Sequence, residues 1–188
     1  MRPTTTMVCI ALVGYFAAIL TQVHGAATSQ TDITQLKVLW EAMRGEFWNY
    51  TTLNSAVNAS TYDGILGTVR WTFDTDANGV FTIDPCNTAP QSEVLPQQHF
   101  AGLICKQNEN VFTVHTIVVR NASVYGGTIP PDLSITGLTH LDLSYNGLTG
   151  RLPESQRLPQ GIHTLTLVGN QVCSCVCVKV TSTCLDVL

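Results

Sequence analysis

The sequence predicts an α/β fold: a short solenoid of about three coils with parallel strands on its concave face, a mixed helix-and-hairpin cap before it, and a Cys-rich end after it. Three observations carry that expectation. A set of apolar slots closed by Asn recurs at a fixed period in the second half, and a segment of helical periodicity precedes it. Six of the seven Cys of this 188-residue chain lie at Cys86, Cys105, Cys173, Cys175, Cys177 and Cys184. The expected divisions are a leader over 1–25, a capping region over 26–111, repeats over 112–172 and a Cys-rich cap over 173–188.

The leader comes first. Arg2 precedes an unbroken apolar run, Met7–Leu20, and small residues stand at the −3 and −1 positions of a cut after Gly25. That is the layout of a secretory signal peptide, and the run is short for a membrane span of about 20 residues. Cleavage removes Arg2 and Cys9 and leaves Ala26–Leu188 with six Cys. An even Cys count in an oxidising compartment favours disulfides. Sequons at Asn49, Asn58 and Asn121 agree with export. The expected location is secreted or cell-surface, with no transmembrane span after cleavage.

The capping region follows. Ile33, Leu36, Leu39, Trp40, Met43 and Phe47 fall at helical spacing behind Thr31-Asp32, which predicts an amphipathic helix over 32–44. Val69, Trp71 and Phe73 alternate before a Gly-containing turn and Val80–Ile83, which predicts a hairpin over the open end of the stack.

In the repeat itself, Leu138, Leu141, Leu143, Asn146 and Leu148 return in register as Ile162, Leu165, Leu167, Asn170 and Val172. One step upstream the same frame reads Val114, Ile117, Val119, Ala122 and Val124. Such a period marks stacked coils, because one coil cannot bury its own apolar strand. Asn146 and Asn170 stand where the chain leaves the strand, where an amide can satisfy turn backbone groups.

Leu138–Pro153 resembles the plant-type extracellular leucine-rich repeat, LxxLxLxxNxLxGxIP. Trp40 and the segment from Asp84-Pro85-Cys86 to Phe100–Cys105 resemble the N-terminal cap of that class, whose two Cys normally bridge. The resemblance therefore implies a Cys86–Cys105 disulfide. Gly169–Val176 is similar to the NxFCxCV ending of repeats in surface antigens of kinetoplastid parasites. The first coil departs from the pattern. Ala122 occupies its Asn slot, and its Ile129-Pro130 stands one position nearer to Leu152-Pro153 than the period requires.

Composition narrows the function. Lys and Arg number only 9 against 13 acidic residues and form no cluster, so nucleic acid is not an expected partner. Asp74–Gly79 copies the start of a calcium loop, but position 12 is Pro85, which has no side-chain oxygen, so a polar Asn-Gly turn is expected instead. His140, Asp142 and Ser144 alternate on one strand, about 6.6–6.8 Å apart, too far for a nucleophile and its base. No catalytic residue, metal ligand or cofactor is assigned. For Cys173, Cys175, Cys177 and Cys184, disulfides are favoured over zinc or free thiols, and the pairing is open.

By alternation, the exposed concave ladder is Thr116, Val118 and Arg120; His140, Asp142 and Ser144; and Thr164, Thr166 and Val168. Concave faces of repeat proteins are binding surfaces. Three strands cover only about 10 Å, below what a standard interface needs. The expected partner is an extracellular protein or glycan bound weakly, with help from the cap or self-association. Asn121 is expected to face solvent if Ala122 holds the inward slot, and to be barred from glycosylation otherwise. The resulting expectation is a binding module and not an enzyme. A secreted hydrolase inhibitor, an enzyme in the N-terminal region and a truncated relic of a longer repeat protein are the competing readings.

Overall fold

The computed structural model describes residues 27–53, 66–87, 99–109, 111–122, 125–153 and 157–173. The leader, Asn58, Cys175, Cys177 and Cys184 lie outside the described residues. The architecture is α/β, with mostly parallel strands in one sheet and a single α-helix among the described residues.

The chain opens with β1 (Ala27–Thr28) and α1 (Gln30–Ala42). The N-cap of α1 is Ser29, slightly earlier than expected from Thr31-Asp32; its hydroxyl accepts from Asp32 N at 3.0 Å. Asp32 is itself buried, and its carboxylate accepts from Thr136 N at 2.8 Å, so its role is to anchor the helix rather than to start it. Ile33, Leu36, Leu39 and Met43 are buried as the spacing predicts. Phe47 departs from that face: Arg44 enters the left-handed region at φ 54°, the chain tightens into a 3-10 turn over Gly45–Phe47, and Phe47 is 63% exposed beneath the Arg44 guanidinium.

The hairpin expected over 67–83 is reduced to one antiparallel bridge, Thr75 to Phe81. Gly67 and Val69 instead make parallel bridges to Ala101 and Phe100. The alternation is a burial signal more than a pairing signal: Trp71 is 1% exposed, with its ring 5.1 Å from Trp48 and 5.8 Å from Phe100, and its Nε1 donates to Ala101 O at 2.8 Å. Cys86 and Cys105 form a disulfide that ties the segment between Trp71 and Phe100 to the sheet strand that follows. Asp84 joins the same corner to β1, accepting from Thr28 N, Thr28 Oγ1 and Cys86 N.

The main sheet contains β2 (Leu103–Asn108), β3 (Val111–Val118), β4 (His140–Asp142) and β6 (Thr164–Thr166), with β1 at the start of β3. β2 is antiparallel to β3, and every other pairing is parallel. Thr116 pairs with His140 and His140 with Thr164, so each strand lies one full repeat from the next. A second parallel pair, β5 (Thr149–Arg151) with β7 (Gln171–Cys173), lies on the return path, where Thr149 meets Gln171 at a slightly shorter step.

The inward slots behave as the repeat demands. Ile117, Leu141 and Leu165 are each at most 1% exposed, as are Val114, Leu138, Val119 and Leu143. They join α1 and the Trp71 cluster in one core. Full burial of such a side chain contributes about 1.5–3 kcal/mol, so each unit depends on its neighbours for most of its stability.

The Asn slots bind the turns together. Asn146 Nδ2 donates to Val119 O and Leu143 O, while its Oδ1 accepts from Ala122 N. Asn170 repeats the arrangement, donating to Leu143 O and Leu167 O and accepting from Asn146 N and Leu148 N. The residue before each slot turns left-handed: Asn121, Tyr145 and Gly169 have φ of 57°, 58° and 72°. Ala122 therefore takes the inward slot, fully buried, and Asn121 is exposed. The segment after α1 abuts this corner, with Asn49 N donating to Ala122 O and Thr52 Oγ1 to Asn121 O.

Candidate functional site

A β-bulge governs the ladder face. Ile104 pairs with Thr116 and Cys105 with Val114, so His115 is an extra residue on β3. Phe112 and Val114 point into the core before it, Ile117 and Val119 after it. The bulge thus turns His115 and Thr116 together away from the core, one beside the other.

Strict alternation places nine residues on an exposed face, and four of them are corrected. Thr116, Val118, Asp142 and Ser144 are buried, at 2%, 0%, 5% and 1% exposure. Their burial follows from position. β3 is an interior strand, so Val118 sits between the Gly102 backbone, which accepts its N–H at 2.7 Å, and Asp142 on β4. Thr116 lies between Ile104 and His140, and Asp142 between Val118 and Thr166. Short side chains in a row flanked by longer ones lose their solvent. Arg120, His140, Thr164, Thr166 and Val168 stay half-buried, and they are the reachable part of the expected ladder.

The expected separation of Asp142 and Ser144 is also corrected. β4 ends at Asp142 and the chain turns at once, so Asp142 Oδ1 accepts from both Ser144 N and Ser144 Oγ at hydrogen-bonding distance. This closes a local turn and uses the carboxylate on the backbone. Arg120 lies over the Tyr145 ring, 4.9 Å from its centroid, at the end of the face where the strands finish.

At the opposite end, the residues just after the first inward slot form a grid that the repeat pattern does not disclose. In the three units they are His115-Thr116, Thr139-His140 and His163-Thr164. Backbone bonds from Thr139 N to His115 O and from His163 N to Thr139 O hold them side by side. The Thr139 hydroxyl donates to His115 O at 3.1 Å and lies 2.7 Å from His140 Nδ1 and 3.2 Å from His115 Nε2. The His115 and His140 rings are 5.8 Å apart. His163 is exposed; His115, Thr139, His140 and Thr164 are half-buried. The signal is present in the sequence as a His and a Thr in each unit, hidden because alternation treats the two positions as opposite faces.

Burial pushes the pKa of His140 down, with the charges of His163 and Lys106 acting in the same direction. Burial also lowers His99, against a hydrogen bond to the Leu103 backbone and the charge of Asp84. Both imidazoles bind protons less readily folded than unfolded, where histidine titrates at about 6.5. Their contribution to stability is full above that value and falls as pH drops through it toward the folded pKa values. We expect a lower melting temperature at about pH 5 than at about pH 7.5 in calorimetry, with a smaller drop in His99→Gln. An unchanged melting temperature across that interval overturns the assignment.

The remaining candidates divide plainly. The Asp74–Gly79 segment is a turn, in which Asp76 Oδ1 accepts from Asn78 N and Val80 N. Those bonds, Val80's first, lower the Asp76 pKa. Asn49 and Asn121 are exposed, as an acceptor of a glycan requires. Cys173 is exposed at the end of β7. Among the described residues no group of three His, Cys, Asp or Glu side chains is arranged to hold a metal ion, and no helix is long and apolar enough to cross a membrane. A cavity of about 350 Å³ lies between Ser134–Gly137 and Leu158–Gly161, on the segments that lead into β4 and β6. Comparisons of the chain with protein-family models, with curated proteins and with solved structures find no match.

Proposed function

We propose that this chain is an extracellular leucine-rich-repeat module that binds a protein or glycan through the ladder face of β3, β4 and β6. The observation that supports it best is the constant register step across those strands, coupled to Asn side chains that bridge successive turns. That pairing of register and Asn bridges is what a stacked-coil solenoid requires. The Cys86–Cys105 disulfide and the exposed sequons at Asn49 and Asn121 favour an oxidising compartment. The face is small, so its partner binds weakly or also contacts the cap.

Expression of the full chain in a secreting eukaryotic cell, with intact mass read before and after reduction and deglycosylation, tests the compartment. A product beginning at Ala26, with disulfides and N-glycans, is expected; an uncleaved cytosolic product with six free thiols in 26–188 overturns it. Thr166→Glu, which puts a bulky acidic side chain in the ladder, tests the face. Partners captured from arrays of extracellular proteins and glycans are expected to be lost in that variant, and their retention removes the ladder as the binding surface.

A further inference from the structure

The grid of His115, Thr116, Thr139, His140, His163 and Thr164 is not needed to fold the repeat. Its backbone bonds are those of any neighbouring strands, and the inward slots supply the packing. Yet it gathers three imidazoles and three hydroxyls at one edge of the sheet, in a chain with 13 acidic and 9 basic residues. Neutral imidazoles offer one donor each, while protonated ones donate from both nitrogens and carry charge. Burial and the charges of His163 and Lys106 oppose a proton on His140, so an anion that offsets those charges favours its uptake.

The charged groups around the grid favour an anion once protons are taken up. From β2, Lys106 is exposed and its charge acts on His140. On β4, Asp142 is an acidic neighbour along the same face; its carboxylate accepts from Ser144, is 5% exposed, and is the one group named here that opposes an anion. Arg120 adds positive charge at the far end of the face, above Tyr145. From the segment entering β6, His163 itself is the facing group.

We propose that the three His–Thr pairs form a proton-gated site for a sulfated glycan, open in mildly acidic surroundings and weak at neutral pH. This deepens the reading of the ladder as a binding face and rests on it. The choice of sulfate follows from the direction of the gate. A site that gains charge as pH falls needs a ligand that keeps its own charge over the same interval. Sulfate esters do so, whereas a phosphate monoester gives up charge around a pKa of about 6. A carboxylate also stays charged here, but a sulfate brings three terminal oxygens to the row, and a desulfated probe that keeps its carboxylates separates the two. A row about 10 Å across spans a short run of sugar units, and the Thr164 hydroxyl beside imidazolium N–H groups adds a further donor to a sulfate.

The test is calorimetric titration of the full secreted chain with a heparin octasaccharide and its chemically desulfated counterpart. Affinity for the sulfated probe is expected to rise about tenfold between pH ~7.5 and ~5.5, as proton uptake and anion binding favour each other. His163→Asn, at an exposed position, is expected to remove several-fold of the acid affinity with its melting temperature unchanged. The triple variant of His115, His140 and His163 to Asn removes the pH dependence if it folds, and His163→Asn alone decides the matter if it does not. Equal affinity at both pH values, indifference to His163→Asn, or equal binding of the desulfated probe overturns the proposal. So does tight zinc binding at neutral pH that acid abolishes, which would make the grid a metal site. Glycan binding that ignores pH but is lost in Thr166→Glu would leave the binding module standing and remove the histidine gate alone.

Discussion

Asn146→Ala is expected to destabilise the protein by about 3–5 kcal/mol, read as a large fall in melting temperature or in the denaturant midpoint. The side chain is 1% exposed and serves three backbone groups: Ala122 N, Val119 O and Leu143 O. Alanine leaves Ala122 N and Val119 O in the interior with no water to replace the amide, while Leu143 O keeps Asn170 Nδ2; each orphaned group costs about 1–3 kcal/mol. Asn146→Asp discriminates the cause. Aspartate keeps an acceptor for Ala122 N but turns a second oxygen toward two carbonyls, so it should be at least as damaging despite its nearly identical shape. If Asn146→Asp instead melts like the parent, the amide donors do not matter and the bridge account fails.

Trp71→Ala is the second large effect, at about 3–5 kcal/mol. The indole is 1% exposed and sits among the rings of Trp48, Phe73 and Phe100, with centroids 5.1, 6.1 and 5.8 Å away. Rings held by other rings cannot collapse into the space left behind, which keeps the cavity open. Trp71→Phe isolates the polar part, since it fills much of the volume but leaves Ala101 O without the indole donor; about 1–2 kcal/mol is expected from that loss. Near-equal stability of the two variants would show that the site repacks.

These two positions also mark what the sequence could and could not disclose. The Asn slots were legible because a stacked coil needs both its inward apolar residues and a polar side chain at its turn, and both recur in register. Trp71 was legible as a buried residue but not as part of a hairpin, because alternation reports which face is inside and not which strand is the neighbour. α1 was legible from Leu36, Leu39 and Met43, while its cap was misplaced: Asp32 has the residue type of a cap but is used by Thr136 instead.

The ladder face was the least legible part. Alternation assigns a face from a strand's own period, and a single inserted residue at His115 resets that period without altering the longer repeat. Burial on the outer face depends on what flanks each strand, so Val118 and Thr116 are lost to solvent through β2, an element absent from the repeat pattern. The disulfide at Cys86 and Cys105 came from resemblance, and no spacing rule alone would have chosen it.

The contact between the post-helical segment and the first corner of the repeat has a further consequence. Because Asn49 donates to Ala122 and Thr52 to Asn121, two sequons far apart in the chain meet at one end of the ladder. The imidazoles gather at the other end. Oligosaccharides on Asn49 and Asn121 would therefore form a single steric crown over the finishing ends of the strands. Approach would be blocked from that side and left open from the histidine side, so the sugars would act as a direction marker for whatever docks.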